Sequence, residues 1–237
     1  MTRQMNEITG GTARLMLALQ FGDSLLPIGS FTLSNGLEAA VQQQVVHDPR
    51  TLAEFTLTAV HRAATSDGIA LLEAHRAAGN ADLDGVMAAD HAVISRKLSE
   101  EMRTMTIRMG RKLAELGTSV VRAPVMGRWL DQIAERRTPG SYPAGLGGLF
   151  ADLGSPEQDA FAVHQYGVAM TTLSAALRLM RIEPQVAQAI LHEVNATAEK
   201  DYAAVRALSL ADMAGFAPAA DILAAMHVRA HVRMFMN

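Results

Sequence analysis

Apolar residues return every three or four positions along almost all of this chain, and nowhere do β-branched residues alternate over the length of a strand. That period gathers apolar side chains on one side of a helix, whereas a half-buried strand needs a period of two. The clearest stretch runs from Ser95 to Leu116. Leu98, Met102, Met105, Met109, Leu113 and Leu116 form one stripe, with Arg96, Arg103, Arg108 and Arg111 off it. Gly117 is placed as a C-terminal cap. The fold class expected is therefore all-α.

Local punctuation divides the rest into elements. A first helix is expected over about 12–22. Asp48-Pro49 supplies an N-cap and a proline at the first helical position, predicting a helix to Thr65. Another is expected from Asp67 to Ala78, stopped by Gly79-Asn80. Between Val120 and Gly154 the period weakens, and Pro124, Pro139, Pro143 and four glycines predict short pieces. Ser155-Pro156-Glu157 starts a long helix whose seam is Val163, Tyr166, Met170, Leu173, Leu177 and Met180. Phe161, Val168 and Leu179 lie off that seam, so burial on more than one side is expected. Pro184 opens a helix to Leu208, Ser209 and Asp212 have capping-box spacing, and Pro218 opens the last helix. No linker or repeat separates units. The reading is a single-domain bundle of about ten helices over 12–237, preceded by a flexible tail over 1–11.

Composition excludes several classes of function. About half of the 237 residues are apolar and 19% are charged, as in a well-buried folded chain. Twenty-one basic residues against 24 acidic ones create no strong field for nucleic acid or an acidic membrane. There are no cysteines, hence no disulfides, thiolate metal sites or cysteine nucleophiles. Met1 to Gly11 lacks the apolar core of a signal peptide, and no run approaches the ~18 apolar residues of a membrane span. A cytoplasmic location, with no membrane and no nucleic-acid partner, is expected.

The segment Leu26 to Glu38 holds a helix stop, a turn and a helix start. Pro27 ends a helix, Gly29 admits a positive φ, and Ser34 or Asn35 can cap a new one with Glu38 as reciprocal partner. These residue types are architectural, not catalytic. Elsewhere, catalytic patterns are incomplete. Gly145-Leu146-Gly147-Gly148 lacks the last glycine of a dinucleotide loop and the Lys-Ser/Thr of a phosphate loop. His192-Glu193 has Ala196 where a zincin needs its second histidine, and Gly29-Ser30 has no second glycine for a nucleophile elbow. His227 and His231, four apart on a helix, are metal candidates that would need a third ligand; otherwise they complement the helix's negative end. His47, His61, His75, His91 and His164 stand singly. The methionine stripe reads either as core or as an adaptable partner surface, and the off-stripe arginines as a solvated face or an interface.

Taken in order, four segments resemble the UreF family of urease accessory proteins. The first is Leu26 to Glu38. The second runs from Arg96-Lys97-Leu98-Ser99-Glu100-Glu101-Met102-Arg103 through Met109-Gly110-Arg111-Lys112-Leu113. The third is Gly167 to Leu179, similar to the family's long central helix. The fourth is Phe216-Ala217-Pro218-Ala219-Ala220-Asp221-Ile222 followed by His227, Arg233, Met234 and Phe235. The match spans residues 15 to 236.

The resemblance implies an all-helical homodimer without catalytic activity or cofactor of its own. It would be a scaffold that joins UreD (also called UreH), recruits the GTPase UreG, and serves nickel insertion into the urease apoprotein. Nickel and GTP would be handled by the partners; the alternative is a direct nickel-binding metallochaperone using His227 and His231. Partner contacts are then expected at Phe31, Leu33, Glu38, Arg103, Arg111, Phe216, Asp221, His227, Arg233 and Phe235, with Pro27, Gly29, Ser34 and Gly36 shaping the turn. Four positions depart from the family pattern. Leu33 replaces an aromatic or histidine, Ser141 a histidine, Val228 a glutamate and Ala230 a polar residue.

Overall fold

A computed structural model describes residues 10–23, 25–30, 33–215 and 234–235. All regular elements among them are helical. In chain order they are α1 (Gly11–Gly22), α2 (Leu37–Gln42), α3 (Pro49–Ala63), α4 (Ile69–Gly79), α5 (Leu83–Arg96), α6 (Glu100–Leu116), α7 (Pro124–Ala134), α8 (Tyr142–Asp152), α9 (Glu157–Leu179), α10 (Pro184–Asn195) and α11 (Ala198–Val205). The fold is an all-α single domain, as the apolar period predicts.

Two local caps form where the sequence places them. Asp48 caps α3: its carboxylate accepts from Thr51 N at 2.7 Å while Thr51 Oγ1 accepts from Asp48 N at 3.1 Å, with Pro49 at the first helical position. Ser209 and Asp212 make the expected reciprocal pair, but around the 3₁₀ turn Leu210–Asp212. The expected helix opening at Pro218 lies outside the described residues, as does most of the expected tail.

Several boundaries differ from the sequence expectation. Helices α3 and α4 do not separate at Ser66. A π turn over Ala64–Gly68 absorbs the irregularity and the rod continues to Gly79. Gly68 sits there because a Cβ would stand 2.8 Å from the ring of Phe161. The helix expected from Ser95 instead breaks at 97–99, leaving Leu98 72% exposed and off the buried stripe. The break is held by side chains. Arg103 donates to the carbonyls of Lys97 and Leu98, Arg96 to those of Leu210 and Met213, and Lys97 to Asp67. Gly117 stands at the C-cap of α6, as expected, but in a right-handed helical conformation (φ −56°) and not the left-handed one of a glycine cap. It opens a second π turn, Gly117–Val121, which ends at Arg122 with φ 57°. The helix expected over 184–208 divides at Ala196-Thr197 into α10 and α11, where Thr197 Oγ1 donates back to Val194 O.

The glycine-rich stretch expected as broken pieces is the buried centre of the molecule. Every residue of α8 from Pro143 to Phe150 is buried. A Cβ at Gly147 would collide with the carbonyl of Leu71 on α4, and one at Gly145 would stand 3.0 Å from the indole of Trp129 on α7. Glycine here permits two helix backbones to approach, at the cost of its low helix propensity. Ser141, just before α8, is fully buried, and the turn it closes is gripped by Asp90. That carboxylate accepts from Thr138 Oγ1 at 2.6 Å and from the backbone of Gly140 and Ser141, each at 2.7 Å.

Two apolar clusters fill the domain. One surrounds α4, α5, α6 and α8 with Trp129, Phe150 and Phe161; the other joins α2, α3 and α10 with Phe235. Helix α9 belongs to both, through Ala160, Phe161 and Val163 at its start and Ala169, Leu173 and Ala176 later on. Burial on more than one side follows, as expected. Its seam differs in detail, because Tyr166 and Leu177 face outward, 36% and 43% exposed.

Candidate partner-binding surface

The turn between α1 and α2 is a chain of short hydrogen bonds. Leu25 N and Leu26 N both donate to Asp23, at 2.8 Å to its carboxylate and 3.1 Å to its carbonyl; Leu33 N donates to Ser30 O and Leu37 N to Ser34 O. Gly29 takes φ 90° and Gly36 φ 82°, the left-handed region that a Cβ disfavours. Pro27 is exposed and Ser34 buried. The expected capping box does not form. Gly36 occupies the N-cap position of α2, and Asn35, itself at φ 53°, turns its amide to Val168 O and Thr172 Oγ1 on α9.

Glu38 has a different task. It is 3% exposed, and its two carboxylate oxygens accept from Met234 N at 2.7 Å and Phe235 N at 2.9 Å. Phe235 is buried against α2 and α10, and the guanidinium of Arg178 lies 4.1 Å from its ring centroid. Two residues from opposite ends of the sequence signature, Glu38 and Phe235, thus meet inside the chain. Leu33 is also part of the core, at 8% exposure, so within one chain it presents no contact surface.

Apolar surface is left uncovered nearby. Arg14 holds α1 to α9 through paired bonds to Asp159, at 3.0 and 3.1 Å, and Leu17 and Phe21 enter the core. Leu15, Met16 and Leu19, each about 60% exposed, remain outside, with Leu25 at 86% just beyond the helix. The signal was in the sequence. Leu15-Met16-Leu17-Ala18-Leu19 is apolar all round a helix, more than one buried face can absorb.

At the end of α1 a half-open cavity of about 150 Å³ lies between α6 and α9. Met102, Met105 and Met109 line it from α6, Val163 and His164 from α9, and Phe21 and Leu33 from the α1–α2 side. The methionine stripe is therefore partly core, with Met105 and Met109 buried, and partly cavity wall. His164 is 3% exposed, stacks on Tyr142 with centroids 6.3 Å apart, and has no hydrogen-bond partner for Nδ1. Burial pushes its pKa down to about 4. Beside it, Lys97 and Asp67 form an ion pair at 2.7 Å.

The remaining expected contacts divide between the surface and the undescribed segments. Arg111 is exposed and pairs with Glu115 at 3.2 Å; Arg103 is partly buried and braces the α5–α6 break. Phe31, Phe216, Asp221, His227, His231 and Arg233 lie outside the described residues, as do the departures Val228 and Ala230. Among the described residues no three His, Asp or Glu side chains are grouped as metal ligands would be, and no helix is long and apolar enough to cross a membrane. What the arrangement offers is apolar area and a ring-sized hole, the chemistry of protein association.

Comparison with known proteins identifies the family. A protein-family model described as UreF matches residues 46–195. The urease accessory protein UreF 2 of Brucella canis is 55% identical over 223 residues, covering 94% of this chain and 92% of the relative. UreF 1 of Brucella melitensis is 54% identical over the same length. UreF of Yersinia pseudotuberculosis is 47% identical, covering 94% of this chain and 98% of its own.

Proposed function

The chain belongs to the UreF family of urease accessory proteins, and from that premise we propose that it is a non-enzymatic scaffold bridging UreD (UreH) and the GTPase UreG during nickel insertion into apo-urease. The observation that carries the scaffold reading is the uncovered apolar face of α1. Leu15, Met16 and Leu19 lie on a helix anchored to the body by Arg14, so the face is held out in a fixed position. Burying three such side chains supplies on the order of 5 kcal/mol before the costs of association, enough to matter in a specific complex. The tie between Glu38 and residues 234–235 holds those two residues beside the start of α2, next to the α1–α2 turn. The protein acts in the cytoplasm as a homodimer, and nickel and GTP are bound by its partners.

Co-expression with UreD and UreG of the same organism tests this. A complex that co-purifies and survives gel filtration at micromolar concentration is expected. Separate elution of all three, with nickel and GTP present, overturns it.

A further inference from the structure

The chain contains no cysteine, so its sulfur chemistry rests with 14 methionines. A thioether is oxidised to a sulfoxide where an oxidant can reach it, and exposure sorts one methionine from another. Met105, Met109, Met126 and Met213 are buried, none more than 8% exposed. Among the described residues only Met16 and Met234 are exposed, each at 62%. Met234 stands beside Glu38, to which its backbone N–H donates. Met16 stands on α1, within the uncovered apolar face.

Leu15 and Leu19 lie one turn apart on that helix, and Met16 lies three residues before Leu19, so its thioether adjoins the leucine pair. The exposed residues of α1 from Gly11 to Gln20 carry no charge, and Arg14 is engaged with Asp159. An apolar contact is what such a face offers. Oxidation changes that. The sulfoxide oxygen is an acceptor that must be stripped of water on docking, and the flexible apolar side chain becomes polar and chiral. The core does not register the change, because Leu17 and Phe21 are the residues of α1 that enter it. We propose that Met16 is a modification site at which oxidation by peroxide weakens docking on α1. The O–O bond of the peroxide breaks, one oxygen joins the sulfur and the other leaves as water. The sulfur gives up two electrons and the peroxide takes them. A thiol-dependent sulfoxide reductase reverses the step, oxidising two thiols to a disulfide and releasing the oxygen as water. The effect on docking rests on the scaffold reading, but the site itself is decided on the chain alone.

The full chain is treated with hydrogen peroxide, sampled over time, and mapped by mass spectrometry of its peptides. Met16 is expected to oxidise roughly tenfold faster than Met105 or Met109. Equal rates overturn the site. After the peroxide is removed, capture of untreated UreD and UreG is measured, each chain being compared with its own unoxidised sample. Capture is expected to fall about tenfold in wild type and in Met234→Leu, and to show no change on treatment in Met16→Leu. Sulfoxide reductase with a dithiol is expected to restore the wild type. Undiminished capture by the oxidised wild type, or an equal fall in Met16→Leu, overturns the switch. So does a thermal unfolding temperature that drops by more than a few degrees on oxidation of Met16, since the loss would then belong to the fold. If the untreated chain captures neither partner, the scaffold reading and the switch fall together, while the peroxide map still decides the site.

Discussion

Glu38 spends a buried carboxylate on two backbone N–H groups 196 and 197 residues away. Charge-assisted bonds to backbone donors are among the stronger ones, and their loss leaves buried groups unpaired. Glu38→Gln keeps the shape but only one acceptor oxygen and no charge. It is expected to cost about 2 kcal/mol, and hydrogen exchange is expected to show Met234 and Phe235 losing protection before any helix does. His164 makes a second prediction at this scale. Its pKa falls from an ordinary 6.5 to about 4 because burial disfavours the cation. Above pH 6.5 both folded and unfolded chains carry it neutral, and its contribution to stability is intact. Between 6.5 and 4 only the unfolded chain takes up the proton, so that contribution drains away as pH falls, on the order of 3 kcal/mol in all. Urea denaturation at pH 7 and pH 5 is expected to show a larger loss in wild type than in His164→Gln, which cannot titrate; equal losses would refute it. Neither residue announces this from the sequence. Glu38 looks like a capping partner because Asn35 stands three residues before it, and nothing local reveals that its real partners are at the other terminus.

At the scale of elements, the readable features were those whose physics closes within a few residues. The Asp48–Thr51 cap was legible because both partners lie in one turn. The glycines of α8 were not. A glycine that ends a helix and one that lets two helices touch are the same letter, and only the neighbouring helix decides between them. The two roles make opposite mutational predictions. Gly147→Ala pushes a methyl group into the Leu71 carbonyl, which belongs to another helix and cannot yield cheaply, so a loss above about 3 kcal/mol is expected. Gly167 on α9 has open space where its Cβ would be, and Gly167→Ala is expected to be neutral or stabilising by up to about 1 kcal/mol. Chemical denaturation of both variants measures the contrast, and similar values would show that α8 is not packed through its glycines. The π turn at Ala64–Gly68 was hidden for a related reason. Ser66-Asp67-Gly68 reads as a break, but Lys97 holds Asp67, Phe161 fills the space over Gly68, and Thr65 exchanges hydrogen bonds with Ala214.

For the whole molecule, the all-α single domain was fully legible, since apolar period alone excludes a sheet. The partner surface was only half so. The family signature drew attention to Leu33, Glu38 and Phe235, which the fold turns inward, and away from Leu15 and Leu19, which it leaves outside. A signature marks residues a fold needs as readily as residues a partner touches, and burial is what separates them. Leu15→Glu with Leu19→Glu separates them by experiment. Both side chains are about 60% exposed, so charging them removes little buried area and thermal unfolding is expected to stay within a few degrees of wild type. Two carboxylates forced into an apolar contact would each have to be desolvated without a partner, which is worth several kcal/mol in association. Capture of UreD and UreG is therefore expected to fall at least a hundredfold while the chain itself remains folded. Retained capture would move the docking surface off α1, whereas a large drop in thermal stability would mean that α1 packs more deeply than Leu17 and Phe21 alone require.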